Sequence, residues 1–141
     1  MIDEEECFKK GLLKKSFPQP DLAKKDIRQA DFFLKEAEDL INMNKKHIAA
    51  LSLYNAYFHT ARSLLFKDGI KERSHYCIAR YLESNYKMEK FINAFETMMS
   101  LRHNVQYATE KVDIEEDLSE FVNICHEFID FAEKGIIKRK K

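Results

Sequence analysis

Apolar residues recur along this chain at helical spacing, and the segments that carry them are long. From Asp21, a residue type suited to an N-cap, Ala23, Ile27, Ala30, Leu34, Ala37 and Ile41 step by fours and threes, with Phe33 and Leu40 widening the face. That spacing predicts a helix packed on one side and fading near residues 42–44. Lys46 to Asp68 is the most apolar stretch: Leu51, Tyr54, Phe58, Ala61 and Leu65 form one stripe, and Ile48, Leu53, Tyr57 and Leu64 cover much of the rest. It is expected to be the central helix, with Gly69 just past its end.

Ser74 is placed to cap a shorter helix carrying His75, Ile78, Ala79, Leu82 and Tyr86, and a fourth helix is expected through Met88, Phe91, Phe95, Met98 and Met99. After a link near residues 109–113, Ile114, Leu118, Phe121, Cys125, Phe128 and Ala132 predict a long closing helix that Gly135 stops or frays. Residues 3–15 suit a short amphipathic helix through Phe8, Leu12 and Leu13, weakened by Gly11 and ended by Phe17-Pro18-Gln19-Pro20. Short links between long helices favour antiparallel neighbours. The expected fold is therefore all-α, an antiparallel up-and-down bundle of four to five helices over residues 21–134, with an arm at 1–20 and a basic tail at 135–141.

Composition narrows this picture. The 141 residues contain 3 Gly and 2 Pro, where average usage gives roughly 17 of the two together. A β-sandwich needs frequent turns and a dinucleotide fold needs a glycine-rich first turn, so both are excluded. The 24 basic residues balance 24 acidic ones, which removes a broad basic field for nucleic acid and makes any anion site local. Cys7, Cys77 and Cys125 are odd in number and widely spaced, so no disulfide framework or zinc knuckle is expected, and a reducing compartment is the default. The acidic start, Met1-Ile2-Asp3-Glu4-Glu5-Glu6, is unlike a signal peptide, and no run approaches 18 apolar residues. A cytoplasmic protein without a membrane contact is expected.

Two breaks in the apolar pattern carry chemistry. Ser52, Asn55, His59 and Arg62 form one polar line on the central helix, which has no Lys or Glu between Lys46 and Lys67 to mark a solvated face. The line either binds a ligand or partner, or satisfies polar groups within the bundle or across a homodimer seam. In the fourth helix, the stripe of Phe91, Phe95 and Met98 continues inward to Arg102 and Val105. A buried Arg must be ion-paired or open onto a cleft, and its planar fork suits a phosphate. Gln106 and Tyr107 lie about one turn further on, within reach of the same site. The five His and three Cys show no metal-ligand spacing, so no metal or other cofactor is expected.

The stretch ALSLYNAYFHTARSLLFKDG (50–69), then Arg73-Ser74-His75, then LRHNVQYA (101–108) and a closing helix, resembles the HEPN family of small helical proteins. Its most specific piece is Tyr54 to Arg62, close to the Tyr-Tyr-Ala-x-Phe-His-x-Ala-Arg pattern of many relatives. The resemblance implies a bundle that is commonly dimeric. It also implies metal-independent ribonuclease activity in many members, and in several a toxin–antitoxin pairing with a minimal nucleotidyltransferase. The family hallmark is an Arg followed four to six residues later by His, which makes Arg102 the phosphate contact. No His stands at that separation: Arg102 is followed by His103-Asn104-Val105-Gln106-Tyr107-Ala108-Thr109.

The expectation is thus a homodimeric HEPN-like protein that binds RNA or nucleotide phosphate. Arg102, His59 and Tyr107 are the catalytic candidates, and Ser52, Asn55, Arg62 and Gln106 the binding ones. Tyr107 is a poor general base, its reference pKa being about 10. His59 qualifies as a base only if the central helix faces the same cleft, and His103 only if the helix unwinds. His75 reads as a packing or helix-start residue, and His47 and His126 as surface or helix-face residues. The alternative is a non-catalytic interaction module that has lost the hallmark histidine.

Overall fold

The structure is a computed structural model that describes residues 2–138, with the backbone alone at 137 and 138. The basic side chains of the tail, Lys138 to Lys141, lie outside the described residues. Six helices and one pair of short strands make up the described fold: α1 (Glu4–Lys9), β1 (Leu13–Lys15), α2 (Pro20–Asn42), α3 (Lys46–Asp68), β2 (Ile70–Glu72), α4 (His75–Asn85), α5 (Glu89–Tyr107) and α6 (Leu118–Lys138). The all-α expectation holds.

Helices α2 and α3 form a hairpin through a three-residue link in which Asn44 takes a left-handed backbone, φ 60°. Residue 26 meets residues 59 and 62, and residue 33 meets 52, so the two helices run antiparallel. The predicted α2 stripe is buried at Ala23, Ile27, Ala30, Leu34 and Ala37. The α2 start lies two residues earlier than expected, with Gln19 and not Asp21 in the N-cap position: Pro20 occupies the first turn, where its fixed φ suits a helix and its missing N–H is no loss, and Gln19 makes no side-chain cap. α3 is central as expected, with Leu53, Tyr54, Tyr57, Leu64 and Leu65 buried.

Gly69 ends α3 at φ 76°. A Cβ there would lie 2.8 Å from both Ser16 O and Pro18 N. Glycine is needed twice over, for the left-handed turn and for the crossing chain. That crossing carries the N-terminal segment, since Ser16 N donates to Gly69 O and Gln19 N to Phe66 O.

Residues 13–15 depart from the helical expectation. Gly11, at φ 72°, turns the chain after α1, and β1 then pairs antiparallel with β2, Leu13 opposite Glu72 and Lys15 opposite Ile70. Leu13 is buried against the core. A three-residue strand is invisible to periodicity, because its partner arrives from residue 70 onward. The cysteine expectation is overturned as well: Cys7 on α1 and Cys77 on α4 form a disulfide, with Cα atoms 5.9 Å apart. Both are buried in the core. Spacing along the chain says nothing about the proximity of two helices 70 residues apart, and cysteine usage therefore no longer argues for a reducing compartment.

Ser74 caps α4 as predicted, its Oγ accepting from Cys77 N. α5 packs on α3 and α4, and α6 closes the bundle against α2, α3 and α5. Tyr57 donates its hydroxyl to Phe121 O at 2.6 Å, and Phe91 stacks on Phe128 with centroids 5.1 Å apart. α6 begins only at Leu118, after Asp117 accepts from Ser119 N, and it continues through Gly135 instead of stopping there. Among the described residues, no helix is long and apolar enough to cross a membrane.

The disulfide closes a long loop, which restricts the unfolded chain. Cys7→Ser is expected to lower unfolding free energy by about 2–4 kcal/mol. Urea titrations with and without reductant check it: reductant should shift the wild type toward the variant and leave the variant unchanged.

Candidate functional site

The inward stripe of α5 does place Arg102 at the bundle's edge, half-buried after Phe95 and Met98. Its guanidinium carbon lies 4.6 Å from the centroid of the Tyr54 ring on α3. Its Nη1 donates to Gln106 Oε1 at 3.2 Å, and its Nε is buried with no acceptor. Among the described residues no carboxylate pairs with it. Arg80 is the informative contrast: its Nε is equally orphaned, but its Nη2 is paired with Glu96 at 2.8 Å and approaches Glu83 at 3.6 Å. Arg80 is a structural ion-pair residue. Arg102 is a fork held on an aromatic ring with donors to spare, and an orphaned buried donor costs on the order of 1–3 kcal/mol.

Tyr54 extends the site to α4, where its hydroxyl shares a hydrogen bond with His75 Nδ1. His75 rests on Phe58, centroids 4.3 Å apart. Burial lowers the His75 pKa, and the nearby charges of Arg102 and Arg62 lower it further, so the imidazole is neutral near pH 7. Burial pushes Tyr54 up to about 12, against the opposing pull of Arg102. The pair therefore works as a neutral phenol and a neutral imidazole.

On the other side of Phe58 lies a second polar group. Arg62 sits 4.9 Å over the Phe58 ring and donates from Nε and Nη2 to the two oxygens of Asp26, both at 2.8 Å. His59 Nδ1 donates to Asp26 Oδ1 at 2.8 Å, and its ring stacks on Phe33. Asp26 on α2 is 3% exposed. Burial raises its pKa, but the hydrogen bonds from Arg62 and His59, with their charges, outweigh that and hold the carboxyl below its usual value. Glu72 of β2 is half-buried nearby. Its pKa is raised by burial against the pull of Arg62.

The structure thus joins Arg102 and Gln106 with Tyr54, His75, Phe58, Arg62, His59 and Asp26 in one connected strip across α2 to α5. Other predicted residues fall elsewhere. Ser52 is buried and donates to Phe33 O at 2.8 Å. Asn55 is half-buried on α3 beside Tyr54 in sequence. Tyr107 is 62% exposed and packs on His103, centroids 5.0 Å apart, rather than on Arg102. These two rings border a shallow recess of about 300 Å³ with Asn104, Ala108 and Val112. His47 meets Val112 O, and His126 pairs with Glu38 at 3.0 Å.

Sequence reasoning missed His75, Tyr54 and Asp26 as site residues. Asp26 left a usable signal, an acid at an otherwise apolar register of α2. Tyr54 and His75 left none, because each fits a core stripe. Among the described residues no three His, Cys, Asp or Glu side chains gather as a metal site.

Asp26→Asn would leave Arg62 without its counter-charge, and is expected to cost about 3 kcal/mol in urea unfolding. His75 also makes stability depend on pH. Its folded pKa lies below its unfolded value, so the native state favours the neutral form. That contribution is complete above the unfolded value of about 6.5 and is lost as pH falls through the window beneath it. Melting temperatures measured from neutral pH into mild acid should therefore fall in the wild type, and fall less in His75→Gln.

A model of the HEPN domain family matches residues 23–135. That span runs from the first turn of α2 to Gly135 and contains every residue of the strip. Comparison with curated proteins found no significant match. With an α2–α3 hairpin, a capped α4, and an α5 that presents Arg102 to the Tyr54 ring, the chain belongs to the HEPN domain family.

Proposed function

We propose that this HEPN protein binds RNA or nucleotide phosphate at Arg102 and cleaves RNA slowly without a metal ion. The observation that carries the reading is the Arg102 fork, fixed over Tyr54 with an orphaned Nε and, among the described residues, no carboxylate partner. A guanidinium so held offers paired N–H donors to phosphate oxygens. In the reaction, the ribose 2′-hydroxyl attacks the adjacent phosphorus, and Arg102 stabilises the negative charge that builds on the phosphoryl oxygens. The Gln106 amide N–H groups are placed to assist. Asn55, His59 and Arg62 lie along α3 where the flanking backbone would run, and Tyr107 with His103 offers exposed rings to an unpaired base.

By family resemblance the working unit is a homodimer paired with a minimal nucleotidyltransferase. Light scattering on the pure protein and inspection of the adjoining reading frame test those two parts. The absence of a histidine four to six residues after Arg102 favours one second reading, a non-catalytic module that binds nucleotide or a partner through the same strip.

Arg102→Ala should weaken binding of single-stranded RNA roughly tenfold or more, since a charge-assisted hydrogen bond contributes about 1.5–3 kcal/mol. Its melting temperature should stay close to wild type, because the lost cation–π contact is offset by removal of the orphaned donor. Wild-type affinity in Arg102→Ala would refute the phosphate site. Incubating labelled RNA in chelator separates the two readings: cleavage absent from Arg102→Ala supports the ribonuclease, and intact RNA over a wide enzyme range supports the module.

A further inference from the structure

We propose that His75, at the start of α4, is the proton-accepting residue of the Arg102 site, taking the place of a histidine on the turn of α5 after Arg102. The inference rests on the phosphate-binding reading above and adds the identity of the base. Three features of the geometry carry it. His75 and Arg102 bracket one ring, since Tyr54 holds the guanidinium over its face and bonds His75 through its hydroxyl. The imidazole is held in place from two sides, by that bond on Nδ1 and by Phe58 beneath the ring. Its Nε2 has no partner among the described residues and is not sealed from solvent.

Of the two neutral tautomers, the one in which Nδ1–H donates to the Tyr54 oxygen leaves the Nε2 lone pair free. Tyr54 stays a phenol and accepts that bond throughout. Alternative bases are placed less well: His103 packs on Tyr107 in solvent, and His59 is engaged by Asp26 and stacked on Phe33. The step then balances. Nε2 takes the 2′-hydroxyl proton, the 2′-oxygen bonds to phosphorus and the bond to the 5′-oxygen breaks. That oxygen takes a proton from water, and His75 returns its own to the resulting hydroxide.

The charged and titratable groups around His75 set the sign of the coupling. Arg102 from α5 and Arg62 from α3 oppose its protonation. Glu72 of β2 and Asp26 of α2 act at one remove, through their influence on Arg62. Tyr54 is neutral. A phosphate bound to Arg102 cancels part of the opposing field and adds an acceptor, so RNA binding and protonation of His75 should reinforce each other.

The test uses the full chain and two probes, a single-stranded 2′-O-methyl oligonucleotide that cannot be cleaved and the same sequence as RNA. Wild-type affinity for the first should rise several-fold between about pH 8 and about pH 5.5, a tenfold gain corresponding to one unit of pKa shift on binding. His75→Gln should match wild type at the alkaline end and lack that rise. The His75 Cε1–H resonance should titrate at higher pH when the oligonucleotide is present, which reads the same coupling should His75→Gln fail to fold. On RNA, His75→Gln should cleave roughly 100-fold more slowly at equal occupancy.

If His75→Gln keeps the wild-type pH slope and cleavage rate, or the His75 titration ignores the oligonucleotide, the assignment is overturned while loss of binding in Arg102→Ala still upholds the phosphate site. A wild type that binds but leaves RNA intact overturns the catalytic role and the ribonuclease reading together. If Arg102→Ala binds as well as wild type, or wild type binds nothing, the site itself falls.

Discussion

The buried carboxylate of Asp26 orders the surface of this bundle. It takes two hydrogen bonds from Arg62 and one from His59, and so adds a directional tie between α2 and α3 to their apolar packing. A desolvated carboxylate tolerates its position only when its lone pairs are met. The guanidinium that meets them is in turn fixed over Phe58. Phe58 is the floor under His75, His75 bonds Tyr54, and Tyr54 supports Arg102. An unbroken run of contacts thereby links the Asp26–Arg62 ion pair to Arg102.

A second constraint acts from the opposite side. The Cys7–Cys77 disulfide, the β1–β2 ladder and the Ser74 cap all converge on the few residues that open α4. His75 is the first residue of that helix, so its ring is held by its own contacts and by a covalently anchored backbone. Gly69 makes the arrangement possible, letting the N-terminal segment pass within hydrogen-bonding distance of the α3 end. The N-terminal arm is thus tied to α4 through the disulfide and to β2 through the strand ladder.

The helices were legible because each buries one face, and burial of a helix face writes a period into the chain. α3 begins and ends where the Lys46 to Asp68 pattern and Gly69 placed it, and α4 begins where Ser74 placed it. The site was legible in part. Arg102 stood out because a charge breaks an apolar stripe, and among the described residues no carboxylate pairs with it. The members of the Ser52–Arg62 line serve different ends. Ser52 meets a backbone carbonyl, whereas His59 and Arg62 meet Asp26.

By itself the sequence determined an all-α bundle, its central helix, the family, and an arginine out of place in a core. Those properties are periodic or local, and one chain segment is enough to express them. Only the tertiary structure decided that Cys7 reaches Cys77, that residues 13–15 become a strand, that Asp26 answers Arg62, and that His75 shares the Tyr54 ring with Arg102. Each of these joins side chains from different elements, and their proximity depends on how helices cross, which no spacing along a single segment records.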